Sequence, residues 1–378
     1  MTTATAPAPF KFYPASTERV YNFSAGPGAL PEAVLRQAQK DIWNIAGSGI
    51  GILEHSHRGK VYDKINAETE QDCRELANIP SNYRVFFVQG GASSQCFMVP
   101  MNFTKPGDTA DYFLTGKWAS DSVNEAKLFC NVHIVASSKD TNFDRIPDKS
   151  TWKFSPNAKY CHFTSNNTIF GTEWRTEPKH PHGAPLVCDA SSDIFSKPID
   201  VTKYGLIYAG AQKNLGPAGT VLIIASDDFL KTGRDDLPTM LKYRTHAENE
   251  SRYNTPPTFG IYLCGQMFKW IKAQGGLKAM AEMNEEKARL LYDAIDNSGG
   301  FYRGHAQKDS RSLMNVTFRC PTPELDDTFC KQAEKCGLDG LKAHRSTGGM
   351  RASIYNAFPI EGVRALVDFM KKFQMESR

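Results

Sequence analysis

Between residues 85 and 225 the chain repeats one pattern. Short apolar runs recur at Val85 to Val88, Tyr112 to Leu114, Val132 to Val135, Lys159 to Phe163, Leu186 to Cys188, Leu206 to Tyr208 and Thr220 to Ile224, each closed by Gly, Ser or Asn. Several are separated by helix-length segments such as Ser93 to Phe103 and Trp118 to Phe129. Strands that are apolar on both faces need cover on both faces, and helical crossovers supply it in a parallel sheet. The pattern therefore predicts an α/β domain with a mainly parallel seven-stranded sheet covered by helices.

The flanks read differently. Pro31 opens a helix running to about Ala46, with Val34, Leu35, Ala38, Ile42 and Ile45 at helical spacing. Past Pro256-Pro257, helical periodicity runs from Ile261 to Ala273 and again from Leu277 to Ile295. The last hundred residues read strand, helix, strand, helix (Leu313 to Phe318, Pro323 to Cys336, Met350 to Tyr355, Glu361 to Met375), a small α+β unit. The 378 residues suit two domains. The expected division is a flexible leader at 1–20, a large cofactor-binding domain at 21–272 whose first residues pack with the small one, and a small C-terminal domain at 273–378.

Charge and composition remove several classes of function. Basic residues number 45 and acidic ones 41, a formal charge of +4 without a long run of one sign, which argues against a nucleic-acid polyelectrolyte binder. No apolar stretch approaches the roughly 18–20 residues that span a bilayer. The nine cysteines are scattered without a C-x-x-C pair, so neither a metal site nor a disulfide framework is expected and a reducing compartment fits. The leader, rich in Ala, Thr and Pro and free of acids until Glu18, lacks the apolar core of a secretory signal. A cytoplasmic setting is expected, and the leader's composition is also compatible with an organelle-targeted form.

The dinucleotide, P-loop, zincin and serine-hydrolase fingerprints do not occur. What stands out is Lys213, set between the strand-like Leu206 to Gly210 and the sharp Gly216-Pro217-Ala218-Gly219 turn. Ligands of open α/β sheets sit beyond the carboxyl ends of the strands, so this amine is aimed at that crevice, where it can attack a carbonyl. A solvated loop lysine is the ordinary alternative. Asp189 closes the preceding strand, Leu186-Val187-Cys188-Asp189, although an aspartate before Ser191-Ser192 can also be a helix cap. Together a lysine and an acid meet the needs of pyridoxal 5′-phosphate (PLP): one binds its aldehyde, the other keeps its ring nitrogen protonated.

Three further features fit that reading. Gly90-Gly91-Ala92-Ser93 turns from strand to helix and can present backbone N–H groups to a phosphate. Trp118, at another strand end, can stack on an aromatic ring or be a core residue. The clusters Ser56-His57-Arg58-Gly59-Lys60 and His344-Arg345-Ser346-Thr347-Gly348-Gly349-Met350-Arg351 offer cations to a small, multiply anionic substrate, or to solvent.

At this point the chain resembles a known family. The segments Asn22 to Pro27, Ser56 to Lys60, Tyr208 to Asn214, Asn254 to Phe259 and Gly348 to Ala357 are similar, in order, to the signature segments of phosphoserine aminotransferases, class V members of the fold-type I PLP enzymes. The likeness runs from about Tyr21 to the C-terminus. It implies a homodimer with sites at the subunit interface and amino transfer from L-glutamate to 3-phosphohydroxypyruvate. By that resemblance Lys213 holds PLP, Asp189 pairs with the ring nitrogen, Trp118 stacks on the ring and Thr168 reaches the ring hydroxyl region. Ala92, Ser93 and Gln212 hold the phosphate, with Asn254 and Thr255 reaching over from the other subunit. His57, Arg58, His344, Arg345 and Arg351 take the substrate anions. Some family members carry Gly-Arg where this chain has Ala92-Ser93, which implies hydroxyl and backbone donors in place of a guanidinium. Another fold-type I enzyme, such as an alanine–glyoxylate aminotransferase or a cysteine desulfurase, and an inert PLP-binding partner subunit are the competing readings.

Overall fold

Seven strands share one sheet in the computed structural model, which describes residues 19–377. The expected leader at 1–20 therefore lies outside the described residues apart from Arg19 and Val20. The strand order is Tyr83–Gln89, Thr220–Ser226, Tyr204–Gly210, Leu186–Asp189, Ala158–Thr164, Thr109–Leu114, Asn131–Ser137. Thr220–Ser226 alone runs antiparallel to its neighbours. The short Ala211 to Gly219 connection has no room for a helical crossover, so the next strand must return. All the other strands point the same way, and their carboxyl ends line one edge.

Alternate side chains go to opposite faces, and both faces are buried. Val85, Phe87, Phe113, Phe163, Ile207 and Leu222 pack with Ile261, Cys264, Phe268 and Ile271 of the helix Thr258–Ala273. Phe86, Val88, Tyr112, Tyr160, Leu206, Tyr208 and Ile223 pack on the other side with Met98, Val99 and Phe103 of Gly91–Phe103 and Val123 of Lys117–Ala126. An additional helix, Lys60–Ala77, packs on Thr258–Ala273 and adds Cys73, Leu76 and Ala77 to the first of these cores. The two helix-length segments named from the sequence are the helices Gly91–Phe103 and Lys117–Ala126, whereas residues 138–157 connect their strands with two 3-10 turns.

A second core is built around the antiparallel sheet Arg303–Gly304, Asn315–Arg319, Met350–Ser353. Val316, Phe318, Met350 and Ala352 meet Phe329, Phe369 and Phe373 from the helices Pro323–Lys335 and Ile360–Glu376. The first described strand, Tyr21–Asn22, pairs with Leu338–Asp339, so the start of the chain is held by this C-terminal unit. The helix Gly276–Asp296 spans both cores: Leu277 and Met280 lie in the first, Ala288, Leu291 and Ile295 in the second. Among the described residues no helix is long and apolar enough to cross a membrane. All nine cysteines are free thiols.

Candidate active site

The carboxyl ends of the parallel strands converge on Lys213. It follows the strand Tyr204–Gly210, and its Nζ donates to Thr168 Oγ1 at 2.8 Å. Burial pushes its pKa down to about 8, with Asp189 pulling it up and Arg351 pushing it further down. Its bond to Thr168 and partial burial set it apart from a solvated loop lysine. An amine in this state loses its proton within reach of neutral pH and becomes a nucleophile.

Asp189 ends the adjacent strand, where it pairs in parallel with Tyr208. No helix follows it. Instead its Oδ1 accepts from the backbone N–H of Ser191 at 3.0 Å and from the Ser191 hydroxyl at 2.6 Å. Both donors take the same oxygen, so Oδ2 is free of hydrogen-bond donors among the described residues. That is the geometry an acid needs to receive a ligand N–H.

Trp118 is 38% exposed, and Lys213 Nζ lies 5.9 Å from its ring centroid. A ring on the open side of a lysine is a stacking platform rather than a core residue. Gly116 lets this turn close: an added Cβ there would stand 2.5 Å from Asn167 Oδ1, beside Thr168.

The helix Gly91–Phe103 begins at Gly90, which adopts φ +93°, and carries no side-chain cap. Its first N–H groups are thus free for an anion. Gly210 places this turn against the lysine turn, since a Cβ there would lie 2.8 Å from Gln212 Oε1 and 3.4 Å from Ala92 Cβ. Gln212 Oε1 is buried without a partner among the described residues. Ser93 is exposed beside it.

Arg351 approaches from the C-terminal sheet and donates from Nη1 to the Thr168 carbonyl at 3.4 Å. Its Nε is buried and has no partner among the described residues, a donor waiting for a carboxylate. Burial pushes its pKa down. His344 is likewise shifted down, by burial and by the charges of Arg351, Arg345 and Lys117; its Nδ1 lies 2.9 Å from Ser346 Oγ, and Arg345 is exposed. Lys117 was not singled out in the sequence, although it adjoins Trp118. Tyr355 and Ser191 were also missed: they act by hydrogen bonds that only the fold creates.

Of the other expected residues, two lie apart and two lie against the Gln89-Gly90 turn. His57 and Arg58 sit in the loop before Lys60–Ala77, where Arg58 Nε donates to His57 Nε2 at 3.3 Å. Asn254 lines a cavity of about 330 Å³ with Gly90 and Ser94. Thr255 is exposed, and its carbonyl accepts from Gln89 Nε2 at 3.3 Å.

The set fits PLP: an amine of lowered pKa, an acid with a free oxygen, an exposed aromatic face and an uncapped helix start with the Gln212 side chain beside it. Comparisons with known proteins point the same way. The aminotransferase class-V family matches residues 20–366. A phosphoserine aminotransferase of Herpetosiphon aurantiacus is 53% identical over 354 residues, covering 94% of this chain and 98% of that protein. The solved phosphoserine aminotransferase of Bacillus circulans subsp. alkalophilus superposes with a TM-score of 0.94 at 48% identity, covering 96% of this chain and 100% of that one. The PLP-bound phosphoserine aminotransferase from Trichomonas vaginalis gives a TM-score of 0.89 at 39% identity, covering 93% and 100%. On sequence and fold together, the chain belongs to the class-V aminotransferases, within the phosphoserine aminotransferase family.

Proposed function

We propose that the protein transfers the amino group of L-glutamate to 3-phosphohydroxypyruvate, giving 2-oxoglutarate and O-phospho-L-serine, with PLP bound to Lys213. The observation that carries this reading is the Lys213 amine itself, with its lowered pKa, its bond to Thr168 and its place beside Trp118 and Arg351. When bound, the cofactor supplies a protonated aromatic ring that takes up the electron pair left when the substrate Cα loses a proton.

The chain's residues do the rest. Asp189 Oδ2 holds the proton of the ring nitrogen while Ser191 fixes the carboxylate by its other oxygen. Trp118 would stack on the ring, and Thr168, bonded to Lys213, would serve its hydroxyl side. Ala92, Ser93 and Gln212 hold the phosphate through backbone N–H groups, a hydroxyl and an amide. The Lys213 amine would take the Cα proton and return it as general base and acid. Arg351 orients one carboxylate. The second anion, a carboxylate in glutamate and a phosphate in the keto acid, falls to His57, Arg58, His344 and Arg345. One cationic set then serves both half-reactions.

His57, Arg58, Asn254 and Thr255 enter this scheme from a second copy of the chain. The support is an apolar surface in the stretch leading to His57 and Arg58: Ile42, Trp43, Ile50 and Leu53 are exposed, Trp43 to 85%. The first two end a helix and the others lie in its following loop, tied back by Ile45 N–H to Ile50 and Ile52 N–H to Asp41. Tyr253, beside Asn254, is also exposed. Exposed apolar groups of this size mark an interface. The same reading assigns residues 21–272 to the cofactor-binding domain and 273–378 to the smaller one, in a cytoplasmic homodimer whose thiols stay reduced.

The test is an absorbance spectrum of purified protein before and after glutamate, with turnover followed on glutamate plus phosphohydroxypyruvate against alanine plus glyoxylate. Glutamate should remove the band of the lysine-bound cofactor, and Lys213→Ala should lack band and turnover. Turnover retained by Lys213→Ala refutes the assignment. Preference for alanine and glyoxylate refutes the substrates.

A further inference from the structure

The helix Gly276–Asp296 carries a lysine that the reaction above does not use. Lys287 is 2% exposed, and its Nζ donates to three main-chain carbonyls: Ile354 at 2.9 Å, Tyr355 at 2.7 Å and Phe358 at 3.2 Å. Only the ammonium form has three hydrogens to give, so one charge satisfies all three acceptors. Burial works against that charge and pushes the pKa down to about 7. A methionine would fill the space without the charge but would leave three buried carbonyls without their donor, so the lysine is there for the bonds it makes rather than for packing.

One turn earlier, on the same side of the helix, Asn284 is fully buried. Its Nδ2 donates to the Ser196 carbonyl at 3.0 Å and to Asn356 Oδ1 at 2.9 Å. Asn356 continues the network. Its Nδ2 donates to the Phe195 carbonyl at 3.0 Å, and its backbone N–H donates to Asn214 Oδ1 at 3.0 Å. Asn214 Nδ2 in turn donates to the Ser192 carbonyl at 3.1 Å. Phe195 is a non-glycine residue at φ +56°, a conformation that persists only where neighbours impose it. The hydroxyl of Tyr355 adds a bond to the Ala25 carbonyl at 2.6 Å.

Three segments meet in this network: the turn after Asp189, the residue after Lys213 and the stretch after Arg351. We infer that Lys287, with Asn284, is a positioning residue of the transamination site, clasping Ile354 to Phe358 so that Asp189, Lys213 and Arg351 keep their spacing. The spacing has a chemical consequence. After burial, the charges of Asp189, Arg351 and Asp193 set how readily Lys213 gives up its proton, the two carboxylates opposing the loss and the guanidinium promoting it. The inference rests on the proposed role of Lys213.

The experiment compares wild-type, Lys287→Met and Leu291→Ala holoenzymes at one temperature well below every melting point. Leu291 is on the same helix and buried in the C-terminal core, so its truncation takes packing from this region while leaving the three carbonyls their lysine donor. Two quantities are read: the midpoint of the pH titration of the cofactor band, and kcat and KM for glutamate separately. Lys287→Met should move the midpoint by about half a unit or more and lower kcat about tenfold, with KM for glutamate raised as Arg351 shifts. Leu291→Ala should keep the wild-type midpoint and kcat. The inference is overturned if Lys287→Met titrates and turns over like wild type, or if both variants change alike. Should Lys287→Met not fold, Asn284→Ala takes its place under the same criteria. A wild-type protein with no cofactor band sinks the Lys213 assignment itself, whereas a normal wild type with an unresponsive Lys287→Met sinks only the clasp.

Discussion

Lys213 and Thr168 meet at the floor of the site, Nζ donating to Oγ1 at 2.8 Å, while the carbonyl of the same threonine accepts from Arg351 at 3.4 Å. One residue thus steadies two cations from different parts of the chain. Thr168→Val keeps the shape and removes the hydroxyl. Because that oxygen favours the charged amine, its loss should lower the Lys213 pKa further below its ordinary value. A hydrogen bond to a charged group contributes about 1.5–3 kcal/mol, so kcat/KM should fall about 10- to 100-fold. Unchanged kinetics with an unchanged titration midpoint would show the contact to be idle.

The lowered pKa of Lys213, about 8, gives a second prediction. The neutral amine is the form that captures an aldehyde, so PLP uptake by the cofactor-free protein should accelerate as pH rises through about 8, well before ordinary lysines deprotonate near 10.4. Stability follows the same sign. The folded protein releases this proton near pH 8 while the unfolded chain keeps it, so the cofactor-free protein gains stability between those values as pH rises. Lys213→Met should abolish that gain and melt higher than wild type at pH 7. An uptake rate flat across pH 7–9 would mean that the amine is not desolvated.

The strands were readable because each is buried on both faces, and Val85 to Val88 needs no partner to announce itself. Lys213 and Asp189 were readable for a related reason: each ends a strand, and strand ends in such a sheet share an edge. The helix Lys60–Ala77 was not. Its inward face includes Asn66, Thr69 and Asp72, which break the apolar period and are buried only because Glu250, Gly265 and Lys272 meet them from distant parts of the chain. The Lys287 clasp was silent for the same cause, since its three acceptors are backbone carbonyls and leave no trace in residue type.

Asp189→Asn tests the acid. The amide nearly preserves the size and can still accept from Ser191, so folding and cofactor binding should persist. The negative charge that keeps a ring nitrogen protonated is lost. We expect kcat to fall on the order of 10²- to 10⁴-fold, the range for a positioned acid–base group, with KM little changed. Stopped-flow traces with glutamate should show the loss in the first half-reaction. A variant within about threefold of wild type would remove Asp189 from the chemistry.

Gly28 reports on the loop that covers the lysine turn. Its N–H donates to the Gln212 carbonyl at 2.8 Å, and an added Cβ would stand 2.8 Å from Tyr355 Cδ2 and 3.2 Å from the Lys213 carbonyl. Gly28→Ala must therefore displace a ring or a backbone that both belong to the site. Overpacking of this kind costs about 1–3 kcal/mol, and calorimetry should show a lowered Tm together with weaker PLP retention on dialysis. A lowered Tm with full retention would confine Gly28 to packing.

Arg58 and Lys213 are predicted to serve one site from different subunits, because no contact joins them within the described residues of a single chain and an apolar surface lies in the stretch leading to Arg58. Arg58→Ala and Lys213→Ala should each be nearly inactive as pure homodimers. After equal mixing with subunit exchange, half of the dimers are hybrid, and each hybrid has one site with both residues intact. Activity should recover to about a quarter of wild type in a closed two-fold dimer. The recovery must track the hybrid fraction seen by native mass spectrometry. If hybrids form and the mixture stays inactive, both residues act within one subunit and the shared-site arrangement is wrong.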